Sequence, residues 1–167
     1  MDPIINKVAD SGLVTIDLEE LHVPGERVLF DIRPWLYEGL ILREKDFREH
    51  IKGLDWSSFQ GKLIAVTCSA DAIVPVWAYM LIAASLAPYA HKTVFGTLND
   101  LENELFDERL AAMDISIFKD QRVIIKGCSH VPVPVSAYFR LTALLQPIVK
   151  SIMYGEPCST VPVYKRK

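Results

Sequence analysis

The chain has 167 residues, of which half are apolar and 23% are charged, and its formal net charge is −3. This composition is typical of a globular protein, and the length predicts one domain. The small negative charge excludes the strongly basic class of nucleic-acid-binding proteins. The sequence after Met1 lacks the pattern of a secretory signal, and the most apolar run, residues 72–87, is short for a membrane span and contains a proline. A cytoplasmic protein without membrane or nucleic-acid partners is therefore expected.

Short apolar or alternating runs predict strands, and apolar residues at helical spacing predict helices. The predicted strands are residues 13–18, 27–32, 62–67, 91–95 and 122–126. The predicted helices are residues 2–9, 44–52, 75–86, 97–113 and 134–153, and Pro147 is expected to kink or end the last of them locally.

Strands and helices alternate from residue 62 onward, which predicts an α/β three-layer sandwich with a mostly parallel sheet. In this prediction residues 1–60 pack on a core formed by residues 61–167, within one domain of residues 1–167. A reversal of winding would make the strands at 62–67 and 122–126 parallel neighbours. Ligand sites in open α/β sheets lie at such a switch point, beyond the carboxyl ends of the strands.

A pattern of strand, Cys-Ser, loop and helix occurs twice in the chain. Cys68 and Cys128 each follow a predicted strand, and each precedes a helix that starts at a proline, Pro75 or Pro134. Aligning the two cysteines gives loops that differ in length by one residue. Every cysteine of the chain is followed by a serine, in the pairs Cys68-Ser69, Cys128-Ser129 and Cys158-Ser159. This repeated context predicts that the three thiols converge on one site.

Thiolates bind zinc or iron best, in sets of three or four ligands. The leading hypothesis is therefore a metal-binding protein of unknown activity, with its site at the carboxyl ends of two parallel strands. The predicted ligands are Cys68, Cys128, Cys158 and His130, with Asp71 or Glu156 as alternatives for the fourth position.

Two other functions are compatible with the same residues. The first is a cytosolic thiol enzyme in which Cys128 is the nucleophile, His130 its base and Asp71 the residue that orients the histidine, because a helix N-terminus lowers the pKa of a preceding thiol. The second is an anion-binding or protein-interaction module without catalysis. Its donors are the free N–H groups at the helix starts and the hydroxyls of Ser69, Ser129 and Ser159.

The predicted helix at residues 75–86 has apolar residues almost all round. A helix of this kind is normally buried. A sheet covers only one face, so we expect cover from the segment around Trp35 or from a second copy of the chain in a homodimer.

The chain resembles an uncharacterised family of small bacterial proteins known as domain of unknown function 2480. The likeness covers nearly the whole chain and brings no assigned activity or ligand with it. The stretches that carry it are residues 11–18, 27–32, 67–75, 126–129 and 155–164, and the last three are the most specific.

Overall fold

The structure, a computed structural model, describes residues 6–7, 12–127, 130–156 and 158–167. In this part of the chain the strands are β1 (Asn6–Lys7), β2 (Leu13–Asp17), β3 (Arg27–Asp31), β4 (Leu63–Thr67), β5 (Lys92–Phe95), β6 (Arg122–Lys126), β7 (Ser151–Glu156) and β8 (Ser159–Lys165). The α-helices are α1 (Glu44–Gly53), α2 (Val76–Leu86), α3 (Leu98–Ala111) and α4 (Val135–Leu145). None of these helices is long and apolar enough to cross a membrane.

The chain divides into two compact units. The inserted unit is Pro24–Leu101, and the split unit combines Met1–Val23 with Glu102–Lys167. The inserted unit has a parallel sheet in the order β3-β4-β5, and α1 and α2 contribute to its core through Phe47, Ala78 and Ile82.

The split unit has a five-stranded sheet in the order β1-β2-β6-β7-β8. Its three central strands are parallel, whereas β1 and β8 pair antiparallel at the two edges. The core of this unit is apolar and contains residues of α4 and of the C-terminal part of α3, including Phe106, Leu110, Ala137, Leu141 and Leu145. The α/β class with mostly parallel sheets is thus confirmed, while the expectation of a single domain stays a prediction.

The strands that precede Cys68 and Cys128 were predicted to be parallel neighbours in one sheet, and this prediction is wrong. β4, which precedes Cys68, pairs with β3 and β5, whereas β6, which precedes Cys128, pairs with β2 and β7 in the other sheet. The physical reason is that β2 and β3, which were expected to pack on the core of residues 61–167, each pair directly with one of these strands. In the described residues β4 and β6 therefore share no sheet, and the pairing that was expected to bring Cys68 and Cys128 together is not formed.

From β4 and β6 onward the two units repeat one order of elements at a constant separation of 59 residues (122 − 63 for β6 and β4, 135 − 76 for α4 and α2). The loops between strand and helix, residues 68–75 and 127–134, have the same length. This register aligns Cys68 with Gly127 and Ser69 with Cys128. The predicted alignment of the two Cys-Ser pairs is therefore displaced by one residue.

The end of the chain also differs from the prediction. The last helix, α4, ends at Leu145, before Pro147, and residues 151–156 form β7 instead of continuing the helix. A further strand, β8, then pairs antiparallel with β7. Proline ends the helix because its ring excludes the hydrogen bond that the next turn needs.

Helix α2 is covered on one side and open on another. Phe47 of α1 stands edge-on to Trp77 with ring centroids 6.1 Å apart, and Trp35 packs against the same core. In contrast, Val76 is 75% exposed and Met80 is 64% exposed. The segment around Trp35 thus contributes part of the expected cover, and the homodimer stays a prediction.

Candidate functional site

Three parallel strands of the split unit end at one edge of its sheet, in register. Asp17 at the end of β2 is paired with Lys126 at the end of β6, and Ile125 is paired with Tyr154 of β7. The Lys126 ammonium lies 3.7 Å from the Asp17 carboxylate and 3.5 Å from the Glu156 carboxylate. The end of this sheet at which the parallel strands have their carboxyl ends, which we call the carboxyl edge, therefore carries a cation held between two anions.

Cys158 lies at this same edge. It is exposed, and it belongs to the tight connection between β7 and β8, in which Glu156 is paired with Ser159. The connection needs Gly155 at φ +114°, a backbone conformation that favours glycine. The sequence contained a signal for this turn in its Gly155, Pro157 and Ser159, but the preceding residues were interpreted as helix.

His130 is anchored near this edge through its backbone. Its N–H donates to Oε1 of Glu19 at 2.7 Å, and Glu19 lies in the short 3-10 helix Leu18–Leu21 that directly follows β2. The Glu19 N–H in turn donates to Asp17 at 3.0 Å, which caps that helix. Sequence reasoning missed Glu19, because nothing local indicates a contact between residues 111 positions apart.

Cys128 and Ser129 lie outside the described residues, but the residue before them is closely packed. A Cβ atom at Gly127 would lie 2.5 Å from the hydroxyl oxygen of Tyr138. Tyr138 itself stands edge-on to Tyr154, with ring centroids 5.9 Å apart. The glycine therefore lets the tyrosine of α4 approach the backbone at the strand exit.

At the end of β4, the equivalent of β6, the inserted unit has a cluster of Cys68, Ser69 and Asp31. Cys68 is half-buried, and its Sγ lies 3.7 Å from the carbonyl oxygen of Ala70. The next residue, Ser69, donates from its N–H at 3.0 Å and from its hydroxyl at 2.5 Å to the carboxylate of Asp31. The Ser69 donors that were predicted to bind an external anion are thus already bonded to an internal one.

Two residues near Cys68 in the inserted unit, Asp31 and Tyr79, have pKa values that are shifted from their usual values. Burial of Asp31 opposes its charge, but the hydrogen bonds from the Ser69 hydroxyl and from the backbone of Arg33 and Ser69 outweigh it and hold the pKa of Asp31 below its usual 3.8. Burial, followed by the neighbouring Cys68 and Asp31, raises the pKa of Tyr79 above its usual value. The Tyr79 hydroxyl is therefore a neutral donor at pH 7.

Replacing Asp31 with asparagine is expected to lower the free energy of unfolding by about 1 kcal/mol at pH 7, because the charged acceptor of three hydrogen bonds is lost. A depressed folded-state pKa gives stability that is present above the unfolded pKa and is lost as pH falls through the folded one. Urea unfolding at pH 7 and at about pH 2.5 measures the effect, with the exposed Asp71→Asn as control. An equal loss at both pH values would contradict the assigned role of the charge.

The predicted site residues divide between the units. Cys68, Ser69 and Asp71 belong to the inserted unit, whereas His130, Cys158 and Ser159 belong to the split unit. Within residues 6–7, 12–127, 130–156 and 158–167, no three His, Cys, Asp or Glu side chains form a group that could hold a metal ion.

Comparison with known proteins identifies the family. A family model described as "Protein of unknown function (DUF2480)" matches residues 2–166, so the chain belongs to that family. No curated protein and no solved structure matches the chain.

Proposed function

We propose that this member of the DUF2480 family binds a transition metal, zinc or iron, at the carboxyl edge of the five-stranded sheet. The proposed ligands are Cys128, His130 and Cys158, and the fourth position is filled by Glu156 or by water. Cys68, part of the three-cysteine hypothesis, is left out because β4 belongs to the other sheet. The observation that carries the proposal is the common edge: β2, β6 and β7 end there in register, and Cys158 follows the end of β7.

The chemistry of this set suits a soft divalent ion. Thiolate sulfur binds zinc at about 2.3 Å and imidazole nitrogen at about 2.0 Å. The backbone of His130 is fixed by Glu19, which leaves its ring as the variable part. Cys158 is exposed and directly precedes Ser159, whose pairing with Glu156 fixes the start of β8. A preorganised backbone of this kind reduces the entropy lost when a metal is bound.

The charges at the edge favour a bound cation, because the Lys126 ammonium is outnumbered there by the carboxylates of Asp17 and Glu156. Glu156 pairs with that ammonium at 3.5 Å, so its carboxylate is already at the edge. The proposal places the protein in a reducing compartment such as the cytoplasm, because oxidised cysteines do not ligate zinc or iron.

Elemental analysis of protein purified without added metal tests this proposal. The wild-type chain is expected to carry about one zinc or iron ion. Cys128→Ser and Cys158→Ser should each lose most of it, and Cys68→Ser, a matched control in the equivalent loop, should keep it. Metal below about a tenth of an equivalent in anaerobically prepared wild type, or equal losses in all three variants, would contradict it.

A thiol enzyme using Cys128 and His130 is the second candidate, favoured by the position of Lys126 in the chain. In that case the metal is absent and Cys128 alkylates rapidly below the usual thiol pKa. Asp71, first assigned to orient the histidine, belongs to the inserted unit. Glu19, which holds the backbone of His130, is the better candidate for that role.

A further inference from the structure

The equivalent strands β7 and β5 differ in the number of strands that pair with them. β7 of the split unit pairs with β6 on one side and antiparallel with β8 on the other. β5 of the inserted unit, 59 residues earlier (151 − 92), pairs with β4 on one side only among the described residues. The inserted unit therefore contains the three central strands of the larger sheet without its edge strands.

The backbone of β5 shows which residues face the open side. The N–H groups of Lys92 and Gly96 donate to carbonyl oxygens of Lys62 and Val66, toward β4. Hydrogen-bonding groups alternate sides along a strand. Thr93 and Phe95 therefore direct their N–H and C=O groups outward, as their counterparts Ile152 and Tyr154 do toward β8.

An apolar groove follows the open edge. It has a volume of about 210 Å³ and is lined by Val66, Tyr79, Ala83, Thr93, Val94 and Phe95. All six equivalent positions of the split unit, 59 residues later, line a groove of about 900 Å³, to which Val163 of β8 also contributes. Among the described residues no strand takes the place of β8 beside the smaller groove, where Phe95 is 69% exposed.

We propose that β5 binds an extended segment of a partner protein, which adds antiparallel to its open edge with β-branched apolar residues at alternate positions. This surface is independent of the proposed metal site. The structure supplies the template, because β8 occupies the same place on β7 with the alternating valines Val161 and Val163. Backbone hydrogen bonds to Thr93 and Phe95 provide affinity, and the groove selects the side chains.

The groove contains no charged side chain, which sets the chemistry of the segment. The neighbouring surface of α2 adds the exposed apolar side chains of Val76 and Met80. An unpaired edge with an apolar surface beside it is normally covered in the working protein. A segment whose inward residues are valine or isoleucine fits this surface, and a charged segment does not.

A nine-residue peptide with the sequence of residues 158–166, in which serine stands for Cys158, is the probe. Fluorescence anisotropy should show saturable binding of the labelled peptide to the full chain. Thr93→Pro removes an outward N–H without removing a hydrogen bond to β4, and it is expected to weaken binding about tenfold or more. Thr93→Val, the matched control, keeps that N–H and should bind within about twofold of wild type.

N-methylated peptides test the same contact without changing the protein. Methylation of one alternate set of peptide nitrogens should abolish binding, and methylation of the other set should leave it intact. Absent binding to wild type, or binding that neither Thr93→Pro nor N-methylation weakens, would overturn the proposal. A wild-type dimer that Thr93→Pro converts to monomer would assign the edge to a second copy and overturn the partner segment.

Discussion

Replacing Gly155 with alanine is expected to unfold the β7–β8 hairpin and to lower the stability of the whole split unit. At φ +114° the added Cβ would lie 2.6 Å from the backbone oxygen of Ser159, the residue paired with Glu156 across the hairpin. The strained backbone alone costs about 1–3 kcal/mol, and the overlap with a backbone atom adds to that. For a chain of this size each kcal/mol lowers the melting temperature by about 2–4 °C.

A matched control variant separates the cost of a positive φ from the cost of the contact between the added Cβ and the backbone. Gly61 also has a positive φ, of 72°, but its Cβ would meet nothing within 4 Å. Its counterpart 59 residues later (120 − 61) is Asp120, a non-glycine residue at φ 58°. Gly61→Asp is therefore expected to change the melting temperature by less than about 3 °C, measured by calorimetry with Gly155→Ala. Equal shifts in the two variants would contradict the hairpin argument.

Replacing Phe47 with alanine should cost roughly 3–5 kcal/mol of unfolding free energy, because a fully buried ring leaves a cavity in the inserted unit. Phe47 stands edge-on to Trp35 and Trp77, at centroid distances of 5.5 and 6.1 Å. The repeat places Phe106 at the equivalent position of the split unit, also buried. Phe106→Ala should therefore cost a similar amount.

Chemical denaturation, followed by the fluorescence of tryptophan and of tyrosine at separate wavelengths, measures the loss of unfolding free energy in Phe47→Ala and in Phe106→Ala. Ile73→Ala is the control, because Ile73 is 95% exposed and its removal opens no cavity. Its effect should be within about 0.5 kcal/mol. A loss of less than about 1 kcal/mol in Phe47→Ala would show that the aromatic cluster is not the core of its unit.

The elements that depend on local signals were predictable from the sequence. β4 and β6 are short apolar runs, and α2 and α4 follow Pro75 and Pro134, where proline fits a helix start. Pro147 was a correct sign of an irregularity, although it ends α4 and a strand follows. β7 was missed because Ser-Ile-Met-Tyr alternates over too few residues to distinguish a strand from a helix.

The partners of the strands were not predictable in the same way. Residues 18–121, most of them in the inserted unit, separate β2 from β6, and no local pattern shows that these strands pair. The one-residue displacement of Cys128 against Cys68 was visible in the sequence, because Pro75 and Pro134 are 59 residues apart (134 − 75) whereas the two cysteines are 60 apart (128 − 68). The bounds of the flanking elements confirm that Gly127 takes the place of Cys68.

For the candidate site, the sequence predicted the ligand types but not their grouping. Cys158 and His130 were predicted as ligands from their chemistry, and the registers of β6, β7 and β8 bring Cys158 to the carboxyl edge. Lys126 and Glu19 were missed as parts of that edge. Their roles depend on contacts with Glu156 and His130 that only the folded chain provides.

X-ray absorption spectroscopy of the bound zinc or iron in the purified protein measures most directly whether the metal site lies at the carboxyl edge of the five-stranded sheet in the split unit. The account predicts two sulfur ligands at about 2.3 Å and two nitrogen or oxygen ligands at about 2.0–2.2 Å, unchanged in Cys68→Ser. Three sulfur ligands, one of which disappears in Cys68→Ser, would contradict it.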